Sequence, residues 1–134
     1  MQNKKKMLQL FLKSKNSKEI IGYGSSTKGN IVLNQCEITN KELPYICDEN
    51  PYKFNKFTPG SNIKIISKKE MRNKKPKFLL VLIWSFREEV IKQEKQFLMN
   101  GGKLVFHLPM FHIIDKSNYK NFLNSDFKSF SYDY

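Results

Sequence analysis

The residues best suited to chemistry lie in one stretch, Gly22-Tyr23-Gly24-Ser25-Ser26-Thr27-Lys28-Gly29-Asn30. It combines glycines for a tight turn, three consecutive hydroxyls, a lysine and the start of a helix. Backbone N–H groups, a helix dipole and an ammonium group would converge there, which favours a phosphate or pyrophosphate. The spacing is GxGxxxxG, with Thr27 at the third glycine of the dinucleotide fingerprint, and no GK[ST] ending follows. A strand-to-helix turn that needs glycine only for geometry would read the same way. Asp48 lies about 20 residues further on, where dinucleotide folds keep an acid for ribose hydroxyls. Before Asn50-Pro51 it reads equally as a turn-forming or capping aspartate. Trp84 and Phe86 either flank a ligand or pack in the core.

No self-contained catalytic set accompanies this loop. His107 and His112 have no carboxylate partner nearby in sequence, and a structural role is expected for each. Asp48 and Glu49 are adjacent, so in an extended segment they face apart. Cys36 and Cys47 form no CxxC and stand near no histidine pair, so no metal site is expected. They read as small buried apolar side chains. Two thiols in an otherwise unstapled chain suit a reducing cytoplasm.

The elements that must position the loop follow from periodicity. Residues 1–16 form a lysine-rich helix with Met7, Leu8, Phe11 and Leu12 at helical spacing. Residues 18–23 are a strand running into Gly24, and residues 28–35 a helix. A second strand spans 43–47, a loop 52–60, a third strand 63–66 and a short polar helix 67–73. Residues 77–84 are apolar without a break from Phe78 onward, as in a parallel strand covered on both faces. Ser85 with Glu88 suggests a capping box. The helix it opens carries Phe86, Val90, Ile91, Phe97 and Leu98 on one face and stops at Asn100-Gly101-Gly102. A fifth strand spans 103–108. Residues 111–134 read as an aromatic-rich tail with one short helix around 119–123. The order β-α-β-loop-β-α-β-α-β implies a single α/β domain. It is Rossmann-like, with about five mostly parallel strands flanked by helices.

Length and charge bound the function. The 134 residues suit one domain, and 40 % hydrophobic content suits a globular one. The longest apolar run, Phe78 to Trp84, is far short of the roughly 20 residues of a spanning helix, so no membrane association is expected. No signal peptide is read at the start. The formal charge is +12, yet only Arg72 and Arg87 are arginine and the lysines are dispersed. A sequence-specific nucleic-acid binder would use arginine for bidentate contacts, so no such role is expected. The chain has no alanine, and its wealth of Lys, Asn, Ile, Phe and Tyr fits AT-rich coding.

Four ordered blocks then carry a resemblance. IIGYGSSTKGNIVLN (20–34) resembles the GYGAxAKGN motif of the C-terminal domain of sugar C-methyltransferases. CDENPYKFNKFTPGSNIKII (47–66) is similar to its D-x-N-P-x-K-x-x-x-x-T-P-G-x-x-I-P-I block. LLVLIWSFREEVIKQ (79–93) is similar to LLLAWNFxxEIxxQ, and NGGKLVFHLP (100–109) to GGxFIxPxP. Ser25, Ser26 and Thr27 depart from the family's small apolar residues and proline, as do Lys64 and His107 at positions that favour proline.

The resemblance implies S-adenosylmethionine-dependent methylation of a nucleotide-linked deoxysugar. In that family a zinc module and a methyl-donor-binding domain precede this domain, and the nucleotide sugar lies between the last two. The general base belongs to the middle domain. Only binding roles carry over, to Gly22, Gly24, Ser25, Lys28, Asn30, Asp48, Pro51 and Trp84. The expectation is a nucleotide-sugar-binding domain with no catalytic residues, no metal and no cofactor of its own. It would be inactive alone and completed by a separately encoded catalytic half. The alternative is a stand-alone Rossmann-type nucleotide or dinucleotide module.

Overall fold

The computed structural model describes residues 2–123. The elements run α1 (Gln2–Ser14), β1 (Ile20–Tyr23), α2 (Thr27–Gln35), β2 (Tyr45–Asp48), β3 (Lys64–Ser67), α3 (Lys68–Lys74) and β4 (Phe78–Val81). They continue with α4 (Arg87–Gln93), α5 (Lys95–Met99), β5 (Lys103–Phe106) and β6 (His112–Ile114). Short 3-10 turns lie at Pro51–Lys53, Trp84–Phe86 and Tyr119–Phe122.

The strands form one sheet in the order β3-β2-β1-β4-β5-β6. The first five are parallel, and β6 pairs antiparallel with β5. Side chains alternate along each strand, and both faces are covered, so every strand is apolar on both. Ile20, Ile46, Leu80 and Val105 face a cluster with Leu8 and Leu12 of α1 and Val32 and Leu33 of α2. Ile21, Cys47, Leu79 and Leu104 face the other, with Met71 of α3, Val90 and Ile91 of α4 and Leu98 of α5. The chain is wound both ways from β1, and the direction reverses between β1 and β4. At such a switch point the loops leaving two neighbouring strands diverge and open a crevice.

The structure departs from the sequence reading in three places. Residues 112–114, assigned to the tail, add a sixth strand: Ile114 pairs with Leu104 and is fully buried. The capping box at Ser85 does not form. Ser85 sits inside a 3-10 turn, and Phe86 occupies the N-cap of α4 with no side-chain cap hydrogen bond. The single helix expected after it is two, broken at Glu94. The helix at the chain start joins the core through Leu8 and Leu12.

Candidate functional site

The loop leaving β1 is shaped by contacts that leave no room for side chains. Gly24 has φ +94°, and a Cβ there would stand 2.6 Å from Ile83 Cγ2. Glycine is thus required twice, for backbone freedom and for the close approach of the β1 and β4 loops. Gly22 sits in β1 against Ile46, where a Cβ would come within 2.9 Å of Cγ1. Ser26 caps α2, its Oγ accepting the Gly29 N–H at 3.0 Å. Gly29 lets α2 close on the end of β4: a Cβ there would lie 2.8 Å from Leu82 Cβ. Helix-to-strand packing, the job of the third glycine in dinucleotide loops, therefore falls to Gly29, two residues beyond Thr27.

Asp48, at the end of β2, is a brace for this loop. Its Oδ2 accepts the Ser25 N–H at 2.9 Å and its Oδ1 the Asn50 N–H at 2.9 Å. Lys53 Nζ donates to the Ser25 carbonyl at 2.8 Å and lies 3.8 Å from Asp48 Oδ2. Both backbone groups of Ser25 are thus held from the β2 side. Asn50 Oδ1 accepts the Tyr52 N–H at 3.1 Å and starts the Pro51–Lys53 turn that delivers Lys53.

A second lysine closes the site from α3. Lys68 Nζ donates to Glu49 Oε1 and Gln93 Oε1, each at 2.6 Å, and lies 4.8 Å from the Tyr23 ring centre. The Tyr23 hydroxyl donates to Glu94 Oε2 at 2.9 Å, and Arg72 donates to the same oxygen at 2.6 Å. Glu94 is only 1 % exposed. Burial, reinforced by that neighbouring carboxylate, pushes the Tyr23 hydroxyl far above its ordinary value, so it stays a donor. Burial pushes the Cys47 thiol up to about 12, so it is no nucleophile near neutrality.

Between these parts lies a cleft of about 380 Å³, within the usual range for ligand pockets. From the β1 and β2 ends it is lined by Gly24, Ser25, Ser26, Asp48 and Lys53. Ile83, Phe86, Glu89 and Val90, after β4, line it too, with Lys68 and Gln93. Of the positions singled out in sequence, Gly24, Ser25 and Asp48 line it. Gly22 lies below, within β1. Lys28 is exposed on the first turn of α2, Asn30 stands further along that helix, and Pro51 is exposed. Trp84 packs against the core cluster beneath α4. None of these five lines the cleft. The sequence reading did not single out Lys53, Lys68, Glu49, Glu89 or Gln93 as binding residues; Phe86, for which it left a ligand-flanking or a core position open, is 55 % exposed and lines the cleft. A second cavity, of about 560 Å³, opens at the opposite end of the sheet, by Pro76 and Gly102. Among the described residues, no group of three or more His, Cys, Asp or Glu is placed to hold a metal ion. No helix among them is long and apolar enough to cross a membrane.

Residues 1–109 match the family of the C-methyltransferase C-terminal domain. This chain belongs to that family. As a C-methyltransferase C-terminal domain it is 36 % identical over 92 residues to the C-methyltransferase NovU of Streptomyces niveus. The aligned stretch covers 69 % of this chain and 22 % of NovU, so the domain spans about a fifth of that relative's length. The matched residues include the whole cleft and α1, whereas β6 lies beyond them.

Proposed function

We propose that this C-methyltransferase C-terminal domain binds the nucleotide-linked sugar that its family methylates, in the cleft between the β1 and β4 loops. The observation that carries this reading is the coincidence of the cleft with the topological switch point of the sheet. There the braced Gly24–Ser26 loop, the N-terminus of α2 and the ammonium groups of Lys53 and Lys68 meet. A diphosphate would lie against the backbone N–H groups and compete with Glu49 for Lys68. Asp48 acts as a positioning residue for the loop rather than as a ligand.

The methyl donor is assigned to another domain by the family resemblance. Each Asp48 oxygen takes one backbone N–H, which ties the acid to the loop and still leaves it acceptor sites. Among the described residues that line the cleft, none is a histidine placed to act as a general base. On this reading the 134 residues bind substrate and transfer nothing until joined by a methyl-donor-binding domain, in the same chain or a separate one. Cytoplasmic work on an activated sugar fits this role.

Calorimetric titration with a nucleoside diphosphate sugar tests the binding. Saturable binding at or below millimolar ligand is expected, with none for S-adenosylmethionine. Absence of sugar-nucleotide binding by a folded chain would refute the reading. Tighter binding of NAD or coenzyme A would favour a stand-alone nucleotide module instead. A methyl-transfer assay on the chain alone should give no product.

A further inference from the structure

Phe86 breaks two local rules at one point, and both concern the cleft wall. It is 55 % exposed although it opens a helix whose next apolar residues, Val90 and Ile91, are 2 % and 1 % exposed. It also occupies the N-cap of α4, a position that favours Ser, Thr, Asp or Asn because their oxygens take orphaned helix N–H groups. Ser85, which could cap, stands one residue earlier and makes no cap bond. The Phe86 N–H donates to the Ile83 carbonyl at 2.9 Å, so the turn that presents the ring is fixed. Local violations of this kind concentrate where function outweighs stability. Phe86 lines the cleft together with the Gly24–Ser26 loop and Lys53. The cleft thus combines anion-favouring groups with an exposed aromatic side chain.

We infer that Phe86 is the platform on which the base of the bound nucleotide stacks, while the diphosphate lies toward Ser26 and the two lysines. This rests on the nucleotide-sugar reading and deepens it: Phe86 would supply affinity for the base, independent of the sugar. Stacking asks only for a π-face, so it discriminates base-bearing from base-free ligands more than one base from another.

The test uses the whole chain with uridine diphosphate, thymidine diphosphate and inorganic pyrophosphate as probes. Phe86→Ala should weaken both nucleoside diphosphates by about tenfold or more and leave pyrophosphate affinity unchanged. Phe86→Tyr should bind within about threefold of the parent, whereas Phe86→Leu, apolar without a π-face, should behave like Phe86→Ala. Trp84, the single tryptophan of the chain and two residues away, offers a fluorescence readout. Because the ring is exposed, the variants should keep the parent's melting temperature. Nucleoside diphosphate binding that is equal in Phe86→Ala and the parent would overturn the inference while leaving the substrate reading intact. So would equal affinity of the parent for pyrophosphate and nucleoside diphosphate. A parent chain that binds no nucleotide would overturn both.

Discussion

Single residues fix the shape of the cleft. Gly24 combines a left-handed backbone with a 2.6 Å clearance to Ile83 for any added Cβ. Gly24→Ala should therefore cost about 1–3 kcal/mol by thermal or denaturant unfolding and weaken ligand binding as the two loops part. His112 supplies a pH-dependent contact on the far side of α4. Its ring stacks on Phe106 at 4.9 Å and on Phe122 at 5.6 Å, and Arg87 Nη1 stands 3.4 Å from Nε2. Arginine can only donate, so Nε2 accepts and Nδ1 carries the proton given to the Met110 carbonyl at 2.7 Å. Burial first, and the Arg87 charge to a lesser degree, hold His112 below its ordinary value of 6.5, against the Met110 carbonyl, which acts the other way. A group held low in the fold contributes stability above its unfolded pKa and loses it as pH falls through the folded one. The melting temperature should drop as pH falls from about 7 toward 5, and His112→Gln should flatten that window.

Elements carry the site through links that are not local in sequence. The break between α4 and α5 is the clearest case: Glu94 takes Tyr23 of β1 and Arg72 of α3 on one oxygen. It pins both helices to the strand whose loop forms the cleft. Glu94→Ala removes a buried carboxylate and leaves the Tyr23 hydroxyl only its longer contact, 3.3 Å to Gln93 Oε1. Since Arg72 is half exposed, the cost should fall below that of a fully buried pair, at roughly 2–3 kcal/mol by denaturant titration. A double-mutant cycle with Tyr23→Phe should show coupling, and additivity would disprove the link. The same non-locality decides what could be read from the sequence. The parallel strands were legible because each is apolar on both faces, as at Phe78 to Val81. The β1 loop and Asp48 were legible from residue type and spacing. The roles of Lys53 and Lys68 were not, because their partners lie 25 or more residues away in some contacts; Lys53 is the lysine of the D-x-N-P-x-K block, but that pattern does not say what it touches, and no local pattern marks Lys68. The three-residue β6 escaped because His112-Ile113-Ile114 shows no alternation and sits among aromatics. The capping box at Ser85 failed because the chain turns there as a 3-10 segment, so the expected register was lost.

At the scale of the whole molecule, the cleft and the charge give different guides to partners. The formal charge of +12 comes from dispersed lysines, several of them tied into ion pairs such as Lys68 with Glu49 and Lys103 with Asp115. It raises background affinity for polyanions in a salt-dependent way without marking a specific site. The cleft is a local feature at the switch point, and the nucleotide-linked sugar is its proposed occupant. The most direct measurement is an amide chemical-shift titration of the folded chain with a nucleoside diphosphate sugar at moderate salt. Substrate binding predicts saturable shifts centred on Gly24, Ser25, Ser26, Lys53 and Phe86, with the 560 Å³ cavity by Pro76 and Gly102 unaffected. Shifts confined to that opposite cavity, or none at millimolar ligand, would contradict it.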